Sequence, residues 1–137
     1  MMTQDTFDIQ TNIVDELKNS SSFLLALQVK NKDDVELLSK KINLQMLNME
    51  LFDTKNMPLV SIYIPETDIT NNYLVNHAIL RIESYTTNRI QAKALIKATK
   101  EIARNKLDLR IVYEGEQPCD IKNVYKYRLE YLPTSWS

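Results

Sequence analysis

The sequence has little glycine, cysteine and histidine, and each shortage excludes a class of site. Its 137 residues include one glycine, Gly115, where average usage would give about nine or ten. Loops that cradle phosphates use several glycines so that the backbone can approach the ligand, so a Walker or dinucleotide-binding loop is excluded. The single cysteine, Cys119, rules out an internal disulfide. Together with the single histidine, His77, it also rules out a zinc site built from soft ligands.

A charge excess of either sign and long apolar runs are also missing. There are 17 basic and 18 acidic residues, a formal net charge of -1, whereas nucleic-acid binders usually carry a basic excess. No apolar run approaches the roughly 18 residues that a membrane span needs. The first ten residues lack the basic-then-apolar order of a signal peptide. We therefore expect a soluble protein with no membrane partner, made in a reducing cytoplasm.

The remaining composition is that of an ordinary folded domain. Apolar residues make up 44% of the chain and charged residues 26%, close to globular averages. We expect a single α+β domain over residues 1–137, with residues 1–6 frayed and residues 133–137 forming a C-terminal tail.

Helical spacing of apolar residues predicts short helices in the first half of the chain. Residues 7–17 present one apolar face. Ser22 is a candidate N-cap for a short helix over residues 23–27, and Asp33 is a candidate N-cap for the next one. Residues 40–51 suit a helix or a strand equally well.

The second half predicts the order strand, strand, helix, strand, strand. β-branched residues or period-two alternation mark strands at residues 59–64, 76–85, 107–113 and 121–132. Residues 114–118 are expected to form the turn between the last two, with Gly115 at positive φ, so these strands should form an antiparallel hairpin. The expected sheet is mainly antiparallel, with about four strands and with helices packed on one face.

The helix that follows Asn88 has the clearest signals. Asn88 can cap its N-terminus, and Gln91 three residues later completes a capping-box-like pair. The expected buried stripe consists of Ile90, Ala94, Leu95, Ala98 and Ile102. The opposite face carries the basic residues Arg89, Lys93, Lys97, Lys100 and Arg104. This basic face is either a solvated surface, or a contact with an acidic protein surface or with a nucleic-acid backbone.

Aromatic residues form a second candidate surface near the C-terminus. The last strand places Tyr125, Tyr127 and Tyr131 on one face, and Trp136 follows in the tail. Tyrosine and tryptophan suit both cores and interfaces, so both interpretations stay open. The candidate subunit or partner interface therefore comprises Arg89, Lys93, Lys97, Lys100, Arg104, Tyr125, Tyr127 and Trp136.

Candidate catalytic and metal-binding residues are few. His77 would need a nucleophile or carboxylate within hydrogen-bond reach, and Glu83, the nearest acid on its strand face, is too far along the strand. Cys119 has acidic neighbours that disfavour its thiolate. An acidic cluster lacks the regular ligand spacing of an EF-hand, so we interpret it as a solvated turn; it comprises Glu114, Glu116 and Asp120. We expect no catalytic residues, no cofactor and no metal.

Four stretches carry a resemblance to a known family: TFDIQTNIVDELKN, PLVSIYIPE, AILRIESYTTNRIQAKALIKATKEIA and YKYRLEYLPTSW. Their order resembles that in the head–tail joining, or tail-terminator, proteins of long-tailed bacteriophages. In that family a strand with a hydrophobic, acidic and aromatic pattern runs into a helix rich in alanine and lysine. A last strand with tyrosine and arginine then completes the sheet.

The resemblance implies a structural virion subunit rather than an enzyme. Such a subunit assembles with copies of itself, typically as a hexamer, into a ring at the head-proximal end of the tail. The ring ends growth of the tail tube and joins the tail tube protein to the head connector or stopper protein. DNA passes through its lumen only as cargo. The implied location is the neck or tail of the virion, and the host cytoplasm during assembly.

Two other functions fit the residues. The protein is alternatively a small phage- or plasmid-encoded binding module that inhibits a host protein by burying an aromatic patch of Tyr125, Tyr127 and Trp136. A third possibility is an enzyme with a metal bound by the carboxylates of Glu114 and Glu116.

Overall fold

The computed structural model describes residues 6–45, 57–65, 79–107, 109–119 and 121–133. Within these ranges the chain forms four helices and five strands, numbered here in chain order. The helices are α1 (Thr6–Lys18), α2 (Ser21–Ala26), α3 (Val35–Lys41) and α4 (Arg89–Lys106). The strands are β1 (Ile42–Asn43), β2 (Leu59–Tyr63), β3 (Leu80–Thr86), β4 (Leu109–Gln117) and β5 (Tyr125–Pro133).

The five strands form one mixed sheet in the order β1-β2-β3-β5-β4. Strand β1 is parallel to β2, and the other neighbouring pairs are antiparallel. The expected α+β class and the hairpin of β4 and β5 are confirmed, and β1 adds a fifth strand within the segment that the sequence left open. Because β5 lies between β3 and β4, helix α4 connects two strands that are not neighbours.

The hydrophobic core lies between the helices and one face of the sheet. Ile62 and Ile82 point from the sheet into the same buried cluster as Leu17, Phe23 and Leu95 of the helices. Alternation along each strand sends every second residue to this face. Full burial of each such side chain contributes about 1.5–3 kcal/mol, so this cluster is the main source of stability.

The N-caps of α2 and α3 differ from the predicted residues. The Ser20 hydroxyl accepts a hydrogen bond from the Phe23 amide at 3.3 Å, and Asp34 Oδ1 accepts one from the Leu37 amide at 3.2 Å. The predictions of Ser22 and Asp33 were wrong. A cap must have a non-helical backbone and must sit two or three residues before the amide that it serves, and Ser22 already lies inside α2.

Asn88 is confirmed as the N-cap of α4. Its Oδ1 accepts hydrogen bonds from the amides of Ile90 at 2.8 Å and Gln91 at 3.4 Å. The Gln91 side chain does not complete a capping box, because its Nε2 donates instead to the carbonyl of Ala26 at 3.3 Å. This contact satisfies a carbonyl at the C-terminus of α2, where the helix itself offers no donor.

The buried stripe of α4 is rotated relative to the prediction. Leu95 and Ala98 are buried as expected, but Ile90 is 79% exposed and Ala94 is also exposed, so those two assignments were wrong. Thr99 is buried in their place. Its hydroxyl donates to the Leu95 carbonyl at 2.8 Å, which satisfies its polar group within the helix.

Strand β4 continues through the segment predicted to be a turn. Gly115 lies opposite Arg128 in the hairpin register, and the structure describes no glycine with positive φ. Among the described residues between β4 and β5, the residue with positive φ is Asn123, at 65°. The predicted turn at Gly115 was wrong because β5 extends far enough to pair with β4 as far as Gln117. A register shift between Ile111 and Tyr113 also interrupts the alternation of β4.

Several predicted features lie outside the described residues: residues 1–5, the ambiguous segment beyond residue 45, His77, Asp120 and Trp136. Within the described ranges, none of the helices has both the length and the apolar character needed to cross a bilayer.

Candidate interaction surface

The basic side of α4 borders a groove. Lys93, Lys97, Lys100 and Arg104 are spaced three or four residues apart, so they lie along one side of the helix. Strands β4 and β5 form the other side, and the space between them is about 820 Å³. We call this space the α4–β4 groove. Its apolar lining consists of Ile96, Leu109, Ile111, Tyr127 and Tyr131.

The charge of the α4–β4 groove is strongly positive. Arg110 of β4 joins the four basic residues of α4, and Glu101 is the one acidic residue in the lining. Lys100 is paired, since its Nζ lies 3.0 Å from Oε2 of Glu114. Among the described residues, no ion pair involves the other four cations, which are Lys93, Lys97, Arg104 and Arg110.

Tyr127 lies at the same end of the groove as the paired lysine. Its hydroxyl donates a hydrogen bond to Oε2 of Glu114 at 3.2 Å. Burial and the negative charge of Glu114 raise the pKa of Tyr127. Tyr127 is therefore half-buried and engaged within its own subunit, and its contribution to an interface is limited to the part of the ring that lines the groove.

Tyr131 forms part of the floor of the groove and is only 2% exposed. Its hydroxyl is buried and has no hydrogen-bond partner among the described residues. Burial, with a contribution from the charge of Glu114, raises the pKa of Tyr131. A buried hydroxyl without a partner costs free energy in the folded protein.

The remaining predicted interface residues do not join this groove. The guanidinium of Arg89 stacks over the ring of Tyr125, 5.1 Å from its centroid. Such a cation–π contact is worth about 0.5–1 kcal/mol at an exposed site. The structure thus brings together four of the five predicted basic residues with Tyr127, whereas Arg89 and Tyr125 form a separate pair and Trp136 lies outside the described residues.

The outer edge strand of the sheet, next to the groove, has three consecutive exposed apolar residues and is unpaired on its outer side within the described chain. Strand β4 is hydrogen-bonded to β5 on one side and forms the end of the sheet on the other. Ile111, Val112 and Tyr113 are exposed there, with Val112 at 45%. Edge strands with exposed apolar side chains are natural points of association, because their free amides and carbonyls can pair with another strand.

A second apolar surface lies between α2 and α4. Leu25 is 80% exposed and Ile90 is 79% exposed, and both line a shallow groove of about 600 Å³. We call this surface the α2–α4 surface. Sequence reasoning placed Ile90 in the core, because helical periodicity alone does not say where the buried stripe of a helix begins.

The opposite face of the sheet holds a charged cluster around Glu83, a residue that is 0% exposed. The Tyr63 hydroxyl donates to Glu83 Oε1 at 2.7 Å. Arg128 contacts Glu83 Oε2 through its Nε and its Nη2, each at 2.8 Å. Lys126 Nζ lies 3.5 Å from the same oxygen. We call these four residues the Glu83 cluster.

The sheet register creates the Glu83 cluster. Glu83 lies directly opposite Arg128, and Arg81 lies opposite Glu130. Arg81 Nη2 and Glu130 Oε2 are 2.9 Å apart. The sequence predicted both strands but did not show that they pair with each other. The signal available was the pair of opposite charges at alternate positions in each strand.

The contacts of Glu83 favour its ionised form. Burial alone would raise the pKa of this carboxyl. Hydrogen bonds from Tyr63 and Arg128, together with the positive charges of Lys126 and Arg128, outweigh that effect, so the pKa of Glu83 is lowered. The cluster is therefore an internal ion pair network at neutral pH.

The described residues contain no group of three or more histidine, cysteine, aspartate or glutamate side chains placed to hold a metal ion. Glu114 and Glu116 lie in β4 rather than in a turn, and Glu114 is engaged with Lys100 and Tyr127. The Cys119 thiol is half-buried. His77 and Asp120 lie outside the described residues.

A scan of the sequence against protein-family models finds no match, and a search of curated proteins finds no significantly similar sequence.

Proposed function

We propose that this protein is a structural subunit of a bacteriophage virion that acts by self-association. Copies of the chain assemble into a ring at the head-proximal end of the tail. The ring ends growth of the tail tube and joins the tail to the capsid connector. The position in the virion and the ring form rest on the resemblance in the order of elements.

The observation that carries the proposal is the free edge of β4. Ile111, Val112 and Tyr113 are exposed there, beside backbone groups that no described strand pairs. A monomer that acts alone gains nothing from such an edge, which natural proteins normally cover or charge. Association with a second copy buries these side chains.

Ring formation also needs two different surfaces on each subunit. A closed ring is built from head-to-tail contacts in which one surface of a copy meets another surface of the next. The α2–α4 surface, with Leu25 and Ile90 exposed, supplies a second apolar patch away from β4. The protein thus offers two separate candidate contacts, as a cyclic assembly requires.

Negative-stain electron microscopy of the purified full chain, with light scattering on a sizing column, tests this function. We expect a discrete ring, with six copies as the expected size. A protein that stays monomeric at the highest concentration reached, with no rings on the grid, contradicts the proposal.

The exposed α2–α4 surface also favours a second candidate, a binding module that inhibits a host protein. Leu25 and Ile90 would then be buried in a partner rather than in a second copy. A stable monomer whose complex with one host protein is lost in a Leu25→Lys variant supports this alternative. Discrete rings of the isolated chain argue against it.

A further inference from the structure

We propose that the α4–β4 groove binds an acidic segment of a partner protein, in which carboxylates alternate with apolar side chains. This inference rests on the proposed function, because the proteins joined by the ring supply the partner. It is tested separately from ring formation.

The charge of the groove selects an acidic occupant. Five cations line it against the single carboxylate of Glu101, and Lys100 alone among them is neutralised within the described chain. Fixed cations along one wall favour an anionic ligand and disfavour a basic one, both in the approach and in the bound state.

The apolar part of the lining favours an occupant that carries apolar side chains as well as negative charges. Ile96, Leu109 and Ile111 line the same groove as the cations. A nucleic-acid backbone would contact the basic residues but would leave these side chains exposed to water. A peptide that carries both carboxylates and apolar side chains matches the two parts of the lining at once.

The dimensions of the groove fit a peptide. From Lys93 to Arg104 the helix rises about 16 Å, since each of the 11 steps adds 1.5 Å. This length accommodates about five extended residues or three helical turns of a partner segment. The volume of about 820 Å³ is open along the helix, as a continuous segment requires.

The experiment uses fluorescein-labelled peptides of about 12 residues and the full-length chain. Two acidic probes combine Glu with Leu, one at helical spacing and one in strict alternation, and two matched probes carry Lys in place of Glu. We expect at least one acidic probe to bind with an affinity that falls as salt rises, and neither Lys probe to bind.

Matched charge reversals locate the site. Lys93→Glu with Arg104→Glu, two residues that line the α4–β4 groove and not the α2–α4 surface, should weaken binding of the acidic probe at least tenfold. Lys30→Glu with Lys32→Glu changes net charge equally at exposed residues outside the groove and should leave binding within about twofold of wild type.

Three results would overturn this inference. The first is that neither acidic probe binds, or that both reversals weaken binding equally. The second is that duplex DNA binds to the groove, and that the Ile111→Ser variant binds this DNA as tightly as the wild type does. Such a result would assign the groove to a phosphate backbone. The third is that the groove reversal abolishes ring formation, which assigns the groove to a second copy. Ring formation is scored on the same samples, so intact rings without probe binding reject the groove proposal alone.

Discussion

The Arg128 guanidinium and the Glu83 carboxylate are in direct contact, with two nitrogens each 2.8 Å from the same oxygen, at a position where Glu83 is fully buried. A buried carboxylate is tolerated only when its charge is matched and its oxygens accept hydrogen bonds. Tyr63 serves the other oxygen, so both are satisfied.

Replacing Glu83 by Gln should destabilise the fold by about 2 kcal/mol, because Arg128 and Lys126 then lose their shared anion. The loss is smaller than for a wholly buried pair, since both cations are about one fifth exposed and are partly solvated (23% and 21%). Equilibrium unfolding in urea measures the change.

Glu114→Gln provides the matched control for this loss. Its partner Lys100 is 41% exposed, and such surface pairs contribute about 0–1 kcal/mol. Equal losses of stability in the two variants would contradict a structural role for the burial of Glu83.

The lowered pKa of Glu83 gives this contribution a defined pH dependence. When a carboxyl has a lower pKa in the folded state than in the unfolded state, its stabilisation is complete above the unfolded value, about 4.3 for glutamate. The stabilisation is lost as pH falls through the folded value. The difference in unfolding free energy between wild type and Glu83→Gln should be constant from about pH 6 to pH 5 and should shrink below about pH 4.

Unfolding titrations of both proteins between pH 6 and pH 3 measure this difference. Other carboxyl groups change the stability of both proteins alike, so subtraction isolates Glu83. A difference that grows with acidity would show that the carboxyl is held neutral in the fold.

The local elements of this fold could be predicted from the sequence, because their signals are local. Asn88 caps α4 through amides two and three residues away, so the chain itself carries the information. Alternation identified the strands in the same way. Ile90 shows the limit of periodicity, since its exposure depends on where α4 sits relative to α2.

The Glu83 cluster and the floor of the α4–β4 groove depend on contacts between distant parts of the chain. Glu83 and Arg128 are separated by 45 residues, and only the order of strands in the sheet makes them neighbours. Likewise, the basic residues of α4 were identified as a surface, but their placement beside Tyr131 follows from the packing of the helix over β4 and β5. Sequence periodicity does not encode such pairings.

Gly115 and Asn123 should differ in their response to alanine. Asn123 has a φ of 65°, a region where alanine is strained, so Asn123→Ala should cost about 1 kcal/mol. Gly115 does not have positive φ. A new Cβ would approach the Tyr113 hydroxyl to 2.8 Å, but that end of an exposed ring can move.

We therefore expect Gly115→Ala to change stability by less than about 0.5 kcal/mol, since the better strand propensity of alanine offsets the displacement of Tyr113. Urea unfolding of the two variants measures both effects. If Gly115→Ala lost as much stability as Asn123→Ala, this result would contradict the strand conformation at Gly115 and would support the turn that the sequence predicted.

The exposed edge of β4 should control assembly without controlling folding. Val112 is 45% exposed, so Val112→Lys should leave the unfolding free energy of the subunit within about 0.5 kcal/mol of wild type. The same change places a charge at the centre of the apolar edge, and a charged edge resists pairing with another strand. Light scattering should therefore find monomers where the wild type forms its assembly.

Asn12→Lys, at an exposed residue of α1 outside both grooves, adds the same charge and should leave the assembly intact. If Val112→Lys assembles as the wild type does, then β4 is not the contact between copies, and the self-association proposed here loses the observation on which it depends.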